Sequence, residues 1–135
     1  MTLQEVPGSL GLRQGTMTPG EQTRRLWLML DRLPALIGYW DQDHRNVIAN
    51  AAHFKYFGFT PEEARGRHMR EILGETSYTL NLPHIKGALA GGEQLFGRTL
   101  IDRHGMTRHM QASYIPDIVD GQVQDFYAHV TDLTA

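Results

Sequence analysis

The sequence predicts an antiparallel α+β domain, in which a five-stranded sheet carries short helices on one face. Three observations favour this class. Two short apolar segments flank a polar turn early in the chain, and a series of short helix signals follows. Three segments of alternating polarity, separated by two glycine-containing turns, end the chain. The length of 135 residues suits one domain with its own core.

The composition excludes several functions. The formal net charge is −2 and both signs are interspersed, so the chain lacks the basic stripe of a nucleic-acid-binding surface. It contains no cysteine, which excludes disulfides and thiolate metal sites. The longest apolar run, Leu26–Leu30, is too short to span a bilayer, and the N-terminus carries no secretion signal. We therefore expect a cytoplasmic protein with neither a nucleic-acid nor a membrane partner.

A flexible leader is predicted for residues 1–17, which are rich in glycine and lack periodicity. A flanking helix over 18–33 should begin at Thr18-Pro-Gly-Glu21, because the Thr18 hydroxyl and the Glu21 carboxylate can bind free backbone amides. Its apolar face could pack on the domain's own sheet or pair with the same helix of a second copy. The face consists of Leu26, Met29, Leu30 and Leu33, widened by Trp27 and Leu28.

Residues 34–134 carry the signals of the main domain. Capping sequences and glycines delimit its short helices, and His104-Gly105 and Asp120-Gly121 mark tight turns between strands. The predicted strands cover 36–40, 46–50, 94–102, 106–115 and 122–130, and the predicted helices cover 51–57, 60–66, 68–73 and 77–90.

The longest of these helices contains Pro83. A proline inside a helix removes one backbone hydrogen bond and crowds the preceding turn. We therefore expect this helix to break or restart near Leu82.

The ordered motifs of this segment resemble the PAS family of sensory domains over about residues 33–134. Phe57-Gly-Phe-Thr-Pro-Glu-Glu63 with Gly66-Arg67 is similar to the family's G-[YF]-x-x-x-E…G-[KR] segment, and Thr131-Asp-Leu-Thr134 resembles its terminal D-[IV]-T signal. His104-Gly105 stands where the family usually has Asp-Gly. The remaining pieces are Asp41 at the end of the first strand, Asn50 capping the first short helix, and Pro116 with Asp120-Gly121 at the last turn.

The resemblance implies a curved sheet that cups a pocket under the long helix, and a preceding helix that mediates a homodimer. It also implies a C-terminal effector, such as a histidine kinase, a diguanylate cyclase or a transcription regulator, which we expect to have been removed from this chain. The domain itself is expected to be no enzyme but a sensor that binds a ligand or partner. The alternative is a ligand-free interaction and dimerisation module.

In the last three strands, successive side chains should point to opposite faces of the sheet, so residues two apart lie on the same face. Cofactor-binding members of the family line their pocket with positions matching Leu100, Met110 and Val130, so the resemblance turns this face inward. The same side chains could also form an ordinary core. The expected site consists of Tyr78, Leu82, His84, Phe96, Arg98, Leu100, Met110, Tyr114, Ala128 and Val130.

Arg98 is the exception on this otherwise apolar face. A buried guanidinium requires a partner, and Arg98 could anchor an anionic ligand. The favoured alternative is a salt bridge to Glu71, Glu75 or Asp102, or a side chain that reaches the rim.

The sequence does not identify a cofactor, but it argues against several kinds of cofactor. Without cysteine, the adduct-forming flavin and cysteine-anchored chromophore of the family's photoreceptors are excluded. Haem-binding relatives use an axial histidine on the long helix, but His84 lies closer to Gly91-Gly92 than that ligand normally does, so haem is disfavoured. The seven histidines are scattered without zinc-like spacing, so no metal is expected. A small apolar or anionic ligand is the remaining expectation.

Overall fold

The structure, a computed structural model, describes residues 17–134. The predicted leader lies outside the described residues except for Met17. The described part contains two compact units, divided between Leu30 and Asp31. Within residues 17–134, no helix is long and apolar enough to cross a membrane.

The first helix, α1, covers Pro19–Arg32, as its capping signal predicted. The Glu21 amide donates to Thr18 Oγ1 at 3.0 Å, and the Thr18 amide donates to Glu21 Oε1 at 3.3 Å. This reciprocal pair satisfies two of the amides that a helix N-terminus leaves free. Leu26, Leu28 and Met29 are 50%, 48% and 57% exposed, so much of the apolar face of α1 is uncovered.

Five strands form one antiparallel sheet in the order β2-β1-β5-β4-β3. This order brings the first and last strands together near the middle of the sheet, and it confirms the predicted fold class. The strands are β1 (Ala35–Trp40), β2 (Asn46–Ala49), β3 (Gln94–Ile101), β4 (Thr107–Val119) and β5 (Gln122–Asp132).

Four helices connect β2 to β3. Gly58 ends α2 in the left-handed conformation with φ of 80°, which glycine adopts without steric cost. Thr60 and Glu63 form the expected capping box at the start of α3, and the His68 side chain caps α4. The helices are α2 (Ala52–Phe57), α3 (Pro61–Ala64), α4 (Met69–Leu73) and α5 (Glu75–Leu89).

The break expected near Leu82 is wrong, because α5 runs without interruption through Pro83. Pro83 is exposed, and so is Thr79, the residue whose carbonyl loses its helical donor. The buried face of α5 lies elsewhere, at positions such as Asn81 and Ile85. The missing hydrogen bond therefore falls on the solvent side, while packing of the buried face holds the helix together.

The expected turn at Pro116 is also wrong, because β4 continues to Val119. The pairing of β3 with β4 ends at Gln94 and Tyr114, so the rest of β4 has an unpaired edge. Proline is tolerated on such an edge because it has no amide hydrogen to donate. The turn itself lies at Asp120 and Gly121, with φ of 53° and 77°, as the sequence predicted.

The main core lies between one face of the sheet and the helices. Met110, Ala112 and Tyr114 of β4 are buried, whereas the intervening Gln111 is exposed. The same alternation holds in β5, where Phe126 is fully buried. The inward face predicted from the two-residue period is therefore confirmed. The helices contribute Met69, Ile72, Tyr78, Ile85 and Ala88 to this core.

Candidate functional site: a cavity between the sheet and the helices

A cavity of about 50 Å³ lies between the inner face of the sheet and helices α2, α4 and α5. A cavity needs at least roughly 10–15 Å³ to hold one water molecule, so this one is large enough for water. Among the described residues, no Asp or Glu lines it. Its walls are mainly apolar, with a few polar groups at defined places.

Six of the predicted site residues line this cavity. They lie on alternate positions of three neighbouring strands, so their side chains point to the same side of the sheet. The six are Arg98, Leu100, Met110, Tyr114, Ala128 and Val130.

The other four predicted residues, Tyr78, Leu82, His84 and Phe96, do not line the cavity. The His84 ring stacks on Phe96 at a centroid separation of 3.9 Å, and the Tyr78 hydroxyl contacts His44 Nδ1 at 2.7 Å. Leu82 packs against the main core. The side of α5 that reaches the cavity carries Ser77 and Asn81 instead, which the sequence analysis did not select.

Sequence reasoning also missed the contribution of β1 and of the short helices. Leu36, Gly38 and Trp40 line the cavity at two-residue intervals, a spacing that could have identified them. His53 and Phe57 lie one helical turn apart on α2 and face the cavity together. Short helices give too little periodicity to reveal this. The remaining missed residues are Met69, Leu73 and Ala112.

Arg98 lies in the cavity wall, and it also lines an outer groove beside Leu80. Its Nε donates to Asn81 Oδ1 at 2.6 Å, and its Nη2 donates to the Leu80 carbonyl at 3.2 Å. The guanidinium lies 5.2 Å from the Phe96 ring centre. The side chain therefore reaches the rim and is held there by neutral oxygen atoms.

The salt bridge expected for Arg98 is wrong. Within residues 17–134, no carboxylate lies within 4.0 Å of its guanidinium. The three candidate carboxylates are each paired with another arginine. Glu71 pairs with Arg67, Glu75 with Arg70 and Asp102 with Arg108.

Asn81 connects Arg98 to Tyr114. The Asn81 Nδ2 donates to the Tyr114 hydroxyl at 3.2 Å, and that hydroxyl lies 3.8 Å from Met69 Sδ. Burial raises the pKa of Tyr114 to about 12, so its hydroxyl is protonated at neutral pH. The polar groups at this end of the cavity thus satisfy one another.

His53 has a defined tautomer. Its Nδ1 lies 3.1 Å from both the carbonyl oxygen and Oδ1 of Asn50. The orientation of the Asn50 amide is fixed, because Oδ1 accepts from the Ile37 amide and Nδ2 donates to the Ala35 carbonyl. Both contacts of Nδ1 are acceptors, so Nδ1 carries the proton and Nε2 presents a lone pair. Burial lowers the pKa of His53 to about 4, so the ring is neutral at pH 7.

A second polar cluster ties the end of β5 to α2 and to the β3–β4 turn. Asp132 Oδ2 accepts from the Tyr56 hydroxyl at 3.0 Å and lies 3.4 Å from Arg108 Nη1. Arg108 Nε in turn pairs with Asp102 Oδ2 at 2.9 Å. The Met106 amide, with help from Arg108, lowers the pKa of Asp102 to about 2. Both partners of Arg108 are therefore ionised at neutral pH.

A family model described as "PAS fold" matches residues 30–135. No curated protein matches the chain in sequence. Because the family model covers most of the chain, the match concerns the whole domain and not a local motif.

The fold is shared with solved structures of low sequence identity. The PAS domain of a Colwellia psychrerythraea protein is 15% identical with a TM-score of 0.68, and the match covers 84% of this chain and 98% of that one. The PAS domain of Bordetella pertussis BvgS is 22% identical with a TM-score of 0.65, covering 85% and 88%. Vibrio cholerae VqmA, solved with ligand and DNA, is 19% identical with a TM-score of 0.73, covering 83% and 51%. This chain thus matches about half the length of VqmA.

The neutral, buried His53 predicts a loss of stability in mild acid. Its pKa is about 4 in the folded chain and 6.5 as the ordinary value expected when unfolded. Between these values the unfolded chain binds more protons, so the free energy of unfolding is highest above pH 6.5 and decreases as the pH falls. We expect His53 to account for a loss of about 2 kcal/mol between pH 7 and pH 5, measured by urea denaturation.

The variant His53→Gln serves as the control. It should be less stable than the parent at pH 7 and show a shallower pH dependence. His44 and His68, whose pKa values burial also lowers, contribute to both proteins and cancel in the comparison. Parallel pH profiles for parent and variant would contradict the assignment of this loss to His53.

Proposed function

This chain belongs to the PAS family, and we propose that it is a sensory input domain whose cavity binds a small ligand. Occupancy of the cavity biases the conformation of an effector that follows β5. The observation that carries this proposal is the cavity itself, an apolar space into which a small number of fixed polar groups point. Binding sites for small molecules are typically built in this way.

The properties of Arg98 favour a neutral ligand over an anionic one. Arg98 is the one cationic side chain among the described residues that line the cavity, because His53 is neutral at pH 7. Its guanidinium already donates to Asn81 and Leu80. These contacts use two of the five guanidinium N–H groups and hold the side chain at the rim, so an anion would pair with Arg98 at the rim, whereas an apolar or neutral ligand in the cavity needs no ion pair.

Helix α2 provides a physical route from the cavity to the C-terminal end of the domain. His53 and Phe57 contribute to the cavity wall, and Tyr56, between them, binds Asp132 at the end of β5. A shift of α2 on ligand binding would therefore change the restraint on residues 131–134. This arrangement supports a two-state relay to a C-terminal effector, such as a histidine kinase, a diguanylate cyclase or a transcription regulator.

We propose that the domain does not catalyse a reaction. We also propose that it is located in the cytoplasm. General acid–base chemistry needs a group that titrates near the working pH, and no carboxylate among the described residues lines the cavity. The Nδ1 of His53 is engaged by Asn50, and its low pKa makes it a weak base. The location is inferred from the sequence alone, which contains no cysteine.

A ligand-free interaction module is the second candidate. The small volume of the cavity favours it, because a space of about 50 Å³ is compatible with a core that never binds a ligand. The two functions differ in what the purified protein carries, which can be measured directly.

Native mass spectrometry of the freshly purified chain should show a retained small molecule in addition to the 15.3 kDa protein. Replacement Arg98→Ala should change the affinity for a neutral ligand by less than about tenfold, since the ligand makes no ion pair. If the ligand were an anion anchored by Arg98, the same replacement would weaken its affinity by about ten- to hundredfold. Arg65→Ala, at an exposed position, is the matched control. A chain without a bound molecule would favour the interaction module.

If α2 transmits the signal, Tyr56→Phe should leave ligand binding intact but weaken the effect of the ligand on the C-terminal end of the domain. The variant retains the ring but loses the hydrogen bond to Asp132, which should cost about 1 kcal/mol of stability. The readout is hydrogen exchange of the Leu133 amide, which donates to the His109 carbonyl at 2.7 Å. In the parent, its exchange rate should differ between ligand-loaded and ligand-stripped protein, and in Tyr56→Phe this difference should shrink while the ligand is still bound.

Tyr127→Phe, which removes an exposed hydroxyl from the other face of β5, should behave like the parent. If Tyr56→Phe keeps the full ligand-dependent change in exchange at Leu133, the route through α2 is incorrect.

A homodimer formed through α1 completes the proposal. Leu26, Leu28 and Met29 leave an uncovered apolar face, which pairing with the same helix of a second copy would bury. Light scattering should give twice the 15.3 kDa chain mass, and Leu26→Glu combined with Met29→Glu should give the monomer. A monomeric mass for the parent at high concentration would contradict the dimer.

A further inference from the structure

One end of the cavity is formed by Gly38, Trp40 and His53, which we call the polar corner. Gly38 lies in the middle of β1 and pairs with Ala49 and Ala128. A Cβ atom built on Gly38 would lie 2.9 Å from Trp40 Nε1 and 3.5 Å from His53 Nε2. Trp40 Nε1 and His53 Nε2 thus lie on the same side of Gly38, where its Cα carries no side chain.

Both nitrogen atoms belong to buried side chains. Trp40 is 3% exposed and His53 is 4% exposed. Within the described part of the chain, the Trp40 indole N–H binds no protein acceptor, and the hydrogen bonds of His53 are all made by Nδ1. Among the described residues, the fully enclosed side-chain N and O atoms without a partner do not include Trp40 Nε1 or His53 Nε2, so a molecule in the cavity can reach both atoms and supply the partner that such polar groups usually have.

The hydrogen-bonding roles of the two atoms are fixed and opposite. The indole nitrogen can only donate, and His53 Nε2 can only accept, because the proton resides on Nδ1 beside Asn50. A ligand atom that satisfies both must accept one hydrogen bond and donate another. A hydroxyl oxygen does this, whereas a carbonyl oxygen would leave His53 unsatisfied and an ammonium group would leave Trp40 unsatisfied.

From this geometry we propose that the polar corner binds the hydroxyl group of a small neutral ligand, such as an alcohol or a phenol. The proposal rests on the cavity being a ligand-binding site, and it adds which functional group is recognised and where. The hydroxyl accepts from Trp40 Nε1 and donates to His53 Nε2. The apolar body of the ligand then lies against side chains such as Leu36 and Val130, which also line the cavity.

The glycine at position 38 is consistent with this role. Positive φ angles, which favour glycine, occur elsewhere in the described residues but not at Gly38, so its backbone could accommodate other residues. Glycine inside a strand costs stability because it contributes no packing. The close approach of Trp40 Nε1 explains why a larger residue is absent, and the same space exposes the indole N–H to the cavity.

The opposite end of the cavity is held together by a hydrogen-bond network within the protein. Tyr114, Asn81 and Arg98 are linked by hydrogen bonds to one another. They lie on α5 and on strands β4 and β3, whereas Gly38 lies on β1 on the far side of β5. The donor of Trp40 and the acceptor of His53 are therefore together at the polar corner, which favours one orientation of the ligand.

The experiment compares phenol with toluene, which are similar in size but differ by a hydroxyl in place of a methyl group. Binding to the full chain is measured by titration, and the indole N–H signals are followed by ¹⁵N NMR. The chain has two tryptophans, and Trp27→Phe assigns the Trp40 signal. We expect phenol to bind about tenfold more tightly than toluene and to shift the Trp40 indole signal, with a smaller shift for toluene.

Two variants test the polar corner separately. Trp40→Phe removes the donor and should make the two affinities equal, whereas Trp27→Phe should keep the preference. Gly38→Ala adds a methyl group 2.9 Å from Trp40 Nε1, which crowds the space beside the indole N–H, and should weaken phenol more than toluene. Circular dichroism and a cooperative thermal transition establish that each variant is folded. If a variant fails to fold, the parent's Trp40 signal and its phenol–toluene ratio remain the test.

The possible outcomes distinguish this inference from the proposed function. Equal affinities with an unmoved Trp40 signal would overturn the hydroxyl assignment while leaving the cavity as a binding site. Binding of neither compound, together with an empty chain in native mass spectrometry, would overturn both. Tighter binding of phenol with a shifted Trp40 signal would support the assignment.

Discussion

The antiparallel pairing of β1 with β5 is the constraint on which the rest of the structure depends. Six consecutive pairs, from Ala35 with Thr131 to Trp40 with Phe126, join the two ends of the domain. This register places Leu36 beside Val130 and Gly38 beside Ala128, so residues distant in sequence form one floor of the cavity. A shift by one residue would turn all of these side chains to the other face of the sheet. The register of β1 with β5 therefore sets the lining of the cavity, the packing of the core and the position of the C-terminal strand.

The two ends of the cavity differ in how their polar groups are satisfied. Around Asn81, hydrogen bonds join Arg98, Asn81 and Tyr114, so this end resembles a structural network that holds α5 against the sheet. At Trp40 and His53 one donor and one acceptor remain open to the cavity. Polar groups that face a cavity without a protein partner are commonly retained for ligand recognition. The asymmetry favours recognition at one end only.

The parts of the structure that depend on local chemistry could be predicted from the sequence, and the parts that depend on competition between distant partners could not. Capping at Thr18 and Thr60, the turn at Asp120 and the alternation of β4 each depend on a few neighbouring residues. The partner of Arg98 was missed because Glu71 and Glu75 are taken by Arg67 and Arg70, and nothing in the sequence ranks these choices. His53 was missed for a related reason, since a six-residue helix does not reveal which of its faces is covered.

The protruding end of the β4–β5 hairpin shows how this fold avoids aggregation. Beyond Tyr114, β4 has no partner on one side among residues 17–134, and Ile118 and Val119 are about half exposed, which together would invite strand addition from another molecule. Pro116 interrupts the row of amides on β4. The side chain of Gln42 covers the neighbouring strand by donating to the carbonyls of Gln124 and Val123. The hairpin can therefore extend beyond the sheet without serving as a template for intermolecular β-structure.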